Sequence, residues 1–349
     1  MQVARTALDE AAVRGLIDAT QVGPLWRFLA EREQETPSFR AAHILYYAGG
    51  LIAIGAMTLF MTLGWERFGG AGLLFIAGCY GVLAIALTEW FLRRKHLALP
   101  AGITAALAIV MVPLAVYGAQ HVLGLWPMEG RSSYRAYHTQ IDWRWLLMEL
   151  ATLAAGVIAL WRYRLPFMVM PVAVTLWYMS MDIVPFLFGG HSSSFFSPEG
   201  KVISTVFGAV MVLIGFWVDL RSSRSQKDFA FWLYVFGVIT FWGGLTSMNS
   251  NSEIGKLVYC AINVVMVGIG AALSRRVFAV FGGLGVAFYL GHLSHTLFRD
   301  SLLFPVALTA IGLSIVAAGV WWQRHEAAIG ERLRSWLPGD LRRLVEQRT

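Results

Sequence analysis

Apolar runs about as long as a bilayer core is thick recur from residue 41 to residue 322, and this repetition limits the chain more than any other feature. A hydrocarbon core of ~30 Å takes ~20 mostly apolar helical residues, and a backbone inside it must satisfy its own N–H and C=O groups because no water is there to do so. Read between flanking charges, Pro and Gly, the runs fall near 41–63, 70–91, 100–124, 145–161, 165–189, 202–219, 229–247, 255–273, 277–296 and 301–322. The expected fold class is all-α: a polytopic transmembrane helical bundle of about ten spans. Composition supports it, with 57% hydrophobic and 14% charged residues against roughly 45–50% and 25% in soluble domains. The lipid bilayer is therefore the expected main partner.

Basic residues orient the bundle, because Lys and Arg gather in short cytoplasmic loops. With the N-terminus inside, only Arg67, Arg131, Arg135, Arg144, Lys201, Lys256 and Arg299 of the 28 Lys and Arg fall outside. Clusters such as Arg93-Arg94-Lys95, Arg162 with Arg164, Arg221 to Lys227, and Arg275-Arg276 all fall inside. An even span count with both termini cytoplasmic satisfies this pattern, and a bacterial inner membrane is the expected location. From the second span on, the chain repeats a hairpin with a basic inner turn, near 94, 163, 224 and 276. Two halves of five spans would be inverted in topology, as in many secondary transporters, although the halves do not align with one another.

Trp65, Trp90, Trp126, Trp143, Trp145, Trp161, Trp321 and Trp322 stand at expected span ends, where amphipathic rings settle at headgroup level. Ala279, Gly283, Ala287 and Gly291 form a small-residue stripe at four-residue spacing, which predicts close backbone packing of the ninth span. Cys79 and Cys260 both lie in apolar runs and are read as packing residues.

Residues 1–40 read as a cytosolic helical hairpin with no apolar core of signal-peptide length, 41–322 as the bundle, and 323–349 as a basic, interfacial or solvated cytosolic tail. Gly15 is placed to end a first helix. The second begins at an Asp18–Gln21 capping box, or at Gly23-Pro24 with Pro in its first turn. Five arginines against six acids in this segment argue against nucleic acid binding and leave a cytosolic protein partner as the alternative.

The run Gly15-Leu16-Ile17-Asp18-Ala19-Thr20-Gln21, followed by Tyr47-Ala48-Gly49-Gly50-Leu51-Ile52, resembles the uncharacterised bacterial membrane-protein family called domain of unknown function 2157. Leu176-Trp177-Tyr178-Met179-Ser180-Met181-Asp182 and Phe241-Trp242-Gly243-Gly244-Leu245 are similar to the same group. The resemblance implies a helical membrane fold and no activity, so it carries over no functional residue.

Charges inside spans are costly and mark functional interiors. Glu149 and Asp182 qualify, lying ~6 and ~7.5 Å outward of the middle of two spans that a tight turn makes neighbours. They are the candidates for lining an outward-facing polar cavity that binds a cation or proton, with Pro185 loosening the helix beside Asp182. A hydrogen-bonded pair of structural carboxylates near the outer interface is the other reading. His292 and His295 sit three apart near an outer span end, with His121 at similar height. Without a carboxylate or cysteine closely spaced on the same helix they are read as interfacial, and no metal site is assigned. Asn263 is read as an interhelical hydrogen-bonding residue. The outer loop 126–143, with Arg131, Tyr134, Arg135, Tyr137 and His138, is read as an exposed loop whose alternative role is to hold an anionic headgroup or glycan.

No Gly-x-x-x-x-Gly-Lys, His-Glu-x-x-His or Gly-x-Ser-x-Gly run occurs, so neither an enzyme nor a cofactor is expected. The sequence favours transport or permeation of a small solute or ion, with a membrane scaffold or sensor acting through the N-terminal hairpin as the alternative.

Overall fold

The computed structural model describes residues 5–34, 41–126, 143–188, 197–222, 227–248, 250, 252–273, 275–297 and eight residues between 306 and 320. The readings made above for the body of the 126–143 loop, the 323–349 tail, and the side chains of Trp65, Pro185, Trp321 and Trp322 lie outside these described residues. Among them every regular element is helical: α1 (Arg5–Val13), α2 (Ala19–Gln34), α3 (Ala41–Trp90), α4 (Ala98–Val122), α5 (Trp143–Tyr163), α6 (Val169–Phe188), α7 (Pro198–Arg221), α8 (Phe231–Ser247), α9 (Glu253–Ala272) and α10 (Arg276–Leu297). A single π-helical turn, Phe91–Lys95, follows α3, and a 3₁₀ turn, Pro166–Met168, precedes α6.

Among the described residues seven helices are long and apolar enough to cross a membrane: Phe68–Lys95, Ala98–Val122, Trp143–Tyr163, Pro166–Val184, Pro198–Arg221, Glu253–Ala272 and Arg276–Thr296. Helix α8 is equally apolar in character but has 17 residues, ~26 Å at ~1.5 Å per residue. Of the expected last span, the described residues from 306 to 320 are helical.

The first reversal differs from the expected loop at 64–69. Helix α3 runs through 50 residues, ~75 Å if straight and more than twice a bilayer core. The helix geometry breaks at Gly69 alone, whose φ of 60° suits glycine. A Cβ on Gly50 would meet Ile103 Cγ2 at 2.6 Å, while the Thr88 and Thr104 hydroxyls share a 2.8 Å hydrogen bond. Gly50 and Thr88 therefore sit at one level of α4, although a straight helix would hold them ~57 Å apart. The chain folds back at Gly69, and Trp65-Glu66-Arg67-Phe68 stays helical because none of these residues breaks a helix.

Two compact units make up the chain, Met1–Leu125 with Val157–Met168, and Trp126–Gly156 with Val169–Thr349. In the first, α3 and α4 pack backbone to backbone: a Cβ on Gly118 would lie 2.7 Å from Leu74 N and 2.8 Å from Gly70 O. Ala101, Ala105, Ile109, Leu165 and Met168 form its buried apolar cluster. At the end of this unit that carries the basic turns, Glu89 pairs with Arg93 at 2.6 Å and Arg162 at 3.3 Å.

Ahead of the spans, α1 ends in a Schellman turn: Gly15 at φ 71° donates its N–H to Ala12 O and Leu16 donates to Ala11 O. Asp18 then caps α2. Its carboxylate accepts from Thr20 N at 2.9 Å, and its own N–H donates to Gln21 Oε1 at 3.2 Å, the reciprocal bonds of a capping box. Of the two starts weighed for α2, the Asp18 box is the one formed, and Pro24 lies within the helix.

In the second unit, α7 and α8 form an antiparallel hairpin in which Gly208 faces Phe241 N and Gly237 O, and Gly244 faces Lys201 O. Helices α9 and α10 pair likewise, Gly270 against Ala279 N and Gly282 against Asn263 O. The small-residue stripe needs correction here. Gly283 is exposed, and Gly283 and Gly291 meet no described atom, whereas Gly282 and Gly285 are buried against α9. Ala230, Tyr234, Val238, Met266 and Phe278 form the apolar cluster beneath.

Candidate functional site

The two carboxylates within spans are neighbours across α5 and α6. The helices touch where Gly156 of α5 leaves room for Val172 on α6, a Cβ there coming within 2.4 Å of Val172 Cγ2. About two turns toward the start of α5, Glu149 is 7% exposed and both of its carboxylate oxygens are sealed from the surface without a hydrogen-bond donor among the described residues. Asp182 of α6, half-buried, is the charged neighbour that acts on it. Two ionised carboxylates hold no proton to donate to each other, so they bond only when a proton or a cation lies between them. The surrounding hydroxyls do not supply that donor: Thr152 donates to Met148 O and Ser180 to Trp177 O.

The other candidates are separate from this pair in kind. Asn263 is fully buried, accepts from Trp242 Nε1 at 3.1 Å and donates to Tyr259 O at 2.8 Å. Gly285 leaves the space its amide occupies. It ties α8, α9 and α10 together with its polar atoms engaged. His292 lies 4.0 Å from Glu253 Oε1 and its backbone carbonyl accepts from Thr296, while His295 is exposed one turn on. His121, in the first unit, meets the Tyr117 ring edge-on at 4.8 Å. Among the described residues no three of His, Cys, Asp and Glu converge as a metal site requires. Trp90 receives Lys95 over its ring and Trp126 receives Arg144, contacts suited to span ends at a charged interface.

The structure adds a cluster that sequence reading missed. Arg275, in the turn between α9 and α10, donates from Nη2 to Asp219 Oδ1 at 2.9 Å and to Asp228 Oδ1 at 3.1 Å, and from Nη1 to Asp228 Oδ2. Its guanidinium lies over the Tyr234 ring, 5.2 Å from the centroid, and the Tyr234 hydroxyl donates to Asp219 Oδ2 at 3.3 Å. Asp228 also caps α8 by accepting from Phe231 N at 3.1 Å. Burial works against the Arg275 charge, and Asp228 and Asp219 outweigh it, holding the group above its ordinary value. Two acids flanking the basic stretch Arg221 to Lys227, Asp219 before it and Asp228 after it, were the available signal.

Helices of this length and polarity, with a buried carboxyl group within one span and cations over tryptophan rings at span ends, define a multi-pass, all-α integral membrane protein associated with the lipid bilayer. Within that class the chain stands apart: no family model, no curated protein and no solved structure matches it.

Proposed function

We propose that this protein is a permeation or transport protein for a small solute or ion, and that Glu149 and Asp182 form the polar site through which a proton or small cation is bound. The observation that carries the reading is Glu149: two carboxylate oxygens enclosed in a span without a donor among the described residues, beside a second carboxylate. A structural carboxylate in that position is expected to be hydrogen-bonded by its neighbours, because each unmet buried polar group costs about 1–3 kcal/mol and a charge more. A site meant to exchange its occupant keeps those positions vacant of protein donors. On this reading the chain crosses a bacterial inner membrane ten times with both termini in the cytoplasm, and Glu149 and Asp182 lie toward the outer face. Kinship with the domain of unknown function 2157 belongs to the same proposal and adds no activity to it.

Single cysteines at 149 and 182, in a chain whose Cys79 and Cys260 are replaced, test the site with a membrane-impermeant thiol reagent on intact cells. Labelling at both positions supports a water-connected site, and protection at both in folded protein sends the pair back to a structural role.

The alternative, a scaffold or sensor that recruits a cytosolic partner, has its own observation. On the N-terminal hairpin Val13 is 88% and Leu16 74% exposed, beside a shallow groove lined by Asp9, Ala12, Val13, Ala19, Val22 and Gly23. Capture of one defined protein that is lost in the double variant Val13→Ser, Leu16→Ser favours this reading.

A further inference from the structure

The ion cluster at the basic-loop end of the second unit is built to part. We propose that Arg275, Asp219 and Asp228 form a latch closing that end of the unit, and that its release gives the Glu149–Asp182 pair access to the basic-loop side. The proposal rests on the permeation reading for the site it serves, and on the cluster's own geometry for the latch.

Three segments meet at one guanidinium: the last turn of α7, the residue capping α8, and the turn joining α9 to α10. Their exposure is graded. The side chains of Asp219 and Arg275 are 10% and 11% exposed, whereas Asp228 is 42% exposed. Water and dissolved ions therefore compete first for Asp228, at the rim. One cation faces two anions, so releasing Asp228 leaves a balanced Arg275–Asp219 pair behind and not an isolated buried charge. Tyr234, 1% exposed, bonds Asp219 and floors the guanidinium, which keeps that inner pair in place while the rim opens. The closed arrangement also leaves Arg275 Nε buried without an acceptor among the described residues, so it is not the fully satisfied network that a permanent brace calls for.

Buried ion clusters roughly break even against apolar packing in stability, and their better attested use is to select one arrangement over another. Here the arrangement concerns helices packed against one that carries the candidate site. Helix α6, which bears Asp182, packs on both α7 and α8, through contacts that include Trp177 against Phe236. The latch grips the opposite ends of α7 and α8. Helices gripped at one end and packed on the helix that bears Asp182 provide the two-state element that alternating access needs.

The test uses the full-length chain in membranes, Cys79 and Cys260 replaced, with Asp182→Cys as reporter and a membrane-impermeant thiol reagent applied to intact cells and to inside-out vesicles. Asp228→Asn removes the rim charge yet keeps an oxygen to cap Phe231 N. It is expected to raise labelling from the basic-loop side severalfold and lower it from the opposite side, and Asp228→Glu is expected to restore the parent ratio. Arg275→Lys, which keeps the charge and loses the fork, is expected to act as Asp228→Asn does and decides the matter if that variant fails to insert. An unchanged two-sided ratio in folded variants, with a lowered melting temperature only, makes the cluster a static brace and overturns the latch while the permeation reading stands. Protection of position 182 from both sides in parent and variants alike overturns both.

Discussion

At the residue scale the molecule contains two carboxylate arrangements with opposite electrostatics. Asp219 and Asp228 have a guanidinium between them, whereas Glu149 has a second carboxylate, Asp182, as its charged neighbour. Opposite mutational signs follow. Arg275→Ala strands buried Asp219 and is expected to lower unfolding stability by about 3–5 kcal/mol, and adding Asp219→Asn to it recovers part of the loss because the two residues share one interaction. Thermal unfolding of the purified protein in detergent measures both. Glu149→Gln instead removes a repulsion, so its melting temperature is expected to equal or exceed that of the parent while permeation through the site is lost. A lowered melting temperature in Glu149→Gln would count against repulsion between the two carboxylates. The two candidate carboxylates were legible in the sequence because a charge inside an apolar run stands out locally. Arg275 was not, since it sits among other basic residues in a loop and its partners lie 47 and 56 positions away.

At the element scale, the helices are stopped and joined by local chemistry. Asp18 holds the start of α2, and the Thr20 hydroxyl and then the Thr20 N–H lower its carboxyl below the ordinary range. A group depressed on folding stabilises the fold above its unfolded pKa and loses that contribution as pH falls through the folded value. Amide protection at Thr20 and Gln21 is therefore expected to hold at neutral pH and decline below the carboxylate range, and Asp18→Ala is expected to lack it at every pH; hydrogen exchange on the intact protein reads this directly. Within the bundle, helices meet through glycine. A Cβ at Gly208 would come within 2.2 Å of Phe241 N, a backbone atom that no rotamer change can move aside. Gly208→Leu is expected to cost at least the ~1–3 kcal/mol typical of overpacking and to separate α7 from α8; loss of a spin-label distance between their outer ends would show it. The correction from Gly283 to Gly282 and Gly285 belongs to this scale. Four-residue spacing reveals that a face of small residues exists, but glycines also fall on the adjoining face, and only the approach of α9 distinguishes the two.

For the whole molecule, the expected hairpins with basic inner turns are the antiparallel pairs found at α3–α4, α7–α8 and α9–α10, with α5 and α6 joined through the short Arg164 turn. The reading of both termini as cytoplasmic then predicts that reporters fused after residue 349 and inserted near 224 are active only in the cytoplasm, and one inserted near 135 only outside. A C-terminal reporter active outside, with the N-terminus inside, would give the chain an odd number of spans, and a reporter near 224 active outside would move the latch to the outer face. What the sequence determined by itself was set by contact with the solvent: that the chain is helical, that it carries segments apolar enough for lipid, and which charges stand out within them, because transfer from water to hydrocarbon is settled residue by residue. Only the tertiary structure decided that the chain turns back on the single residue Gly69, that Gly282 and Gly285 and not their neighbours meet α9, and that Arg275 closes on two aspartates, because each depends on which helix ends are brought within a few ångströms of each other, a distance that no local pattern records.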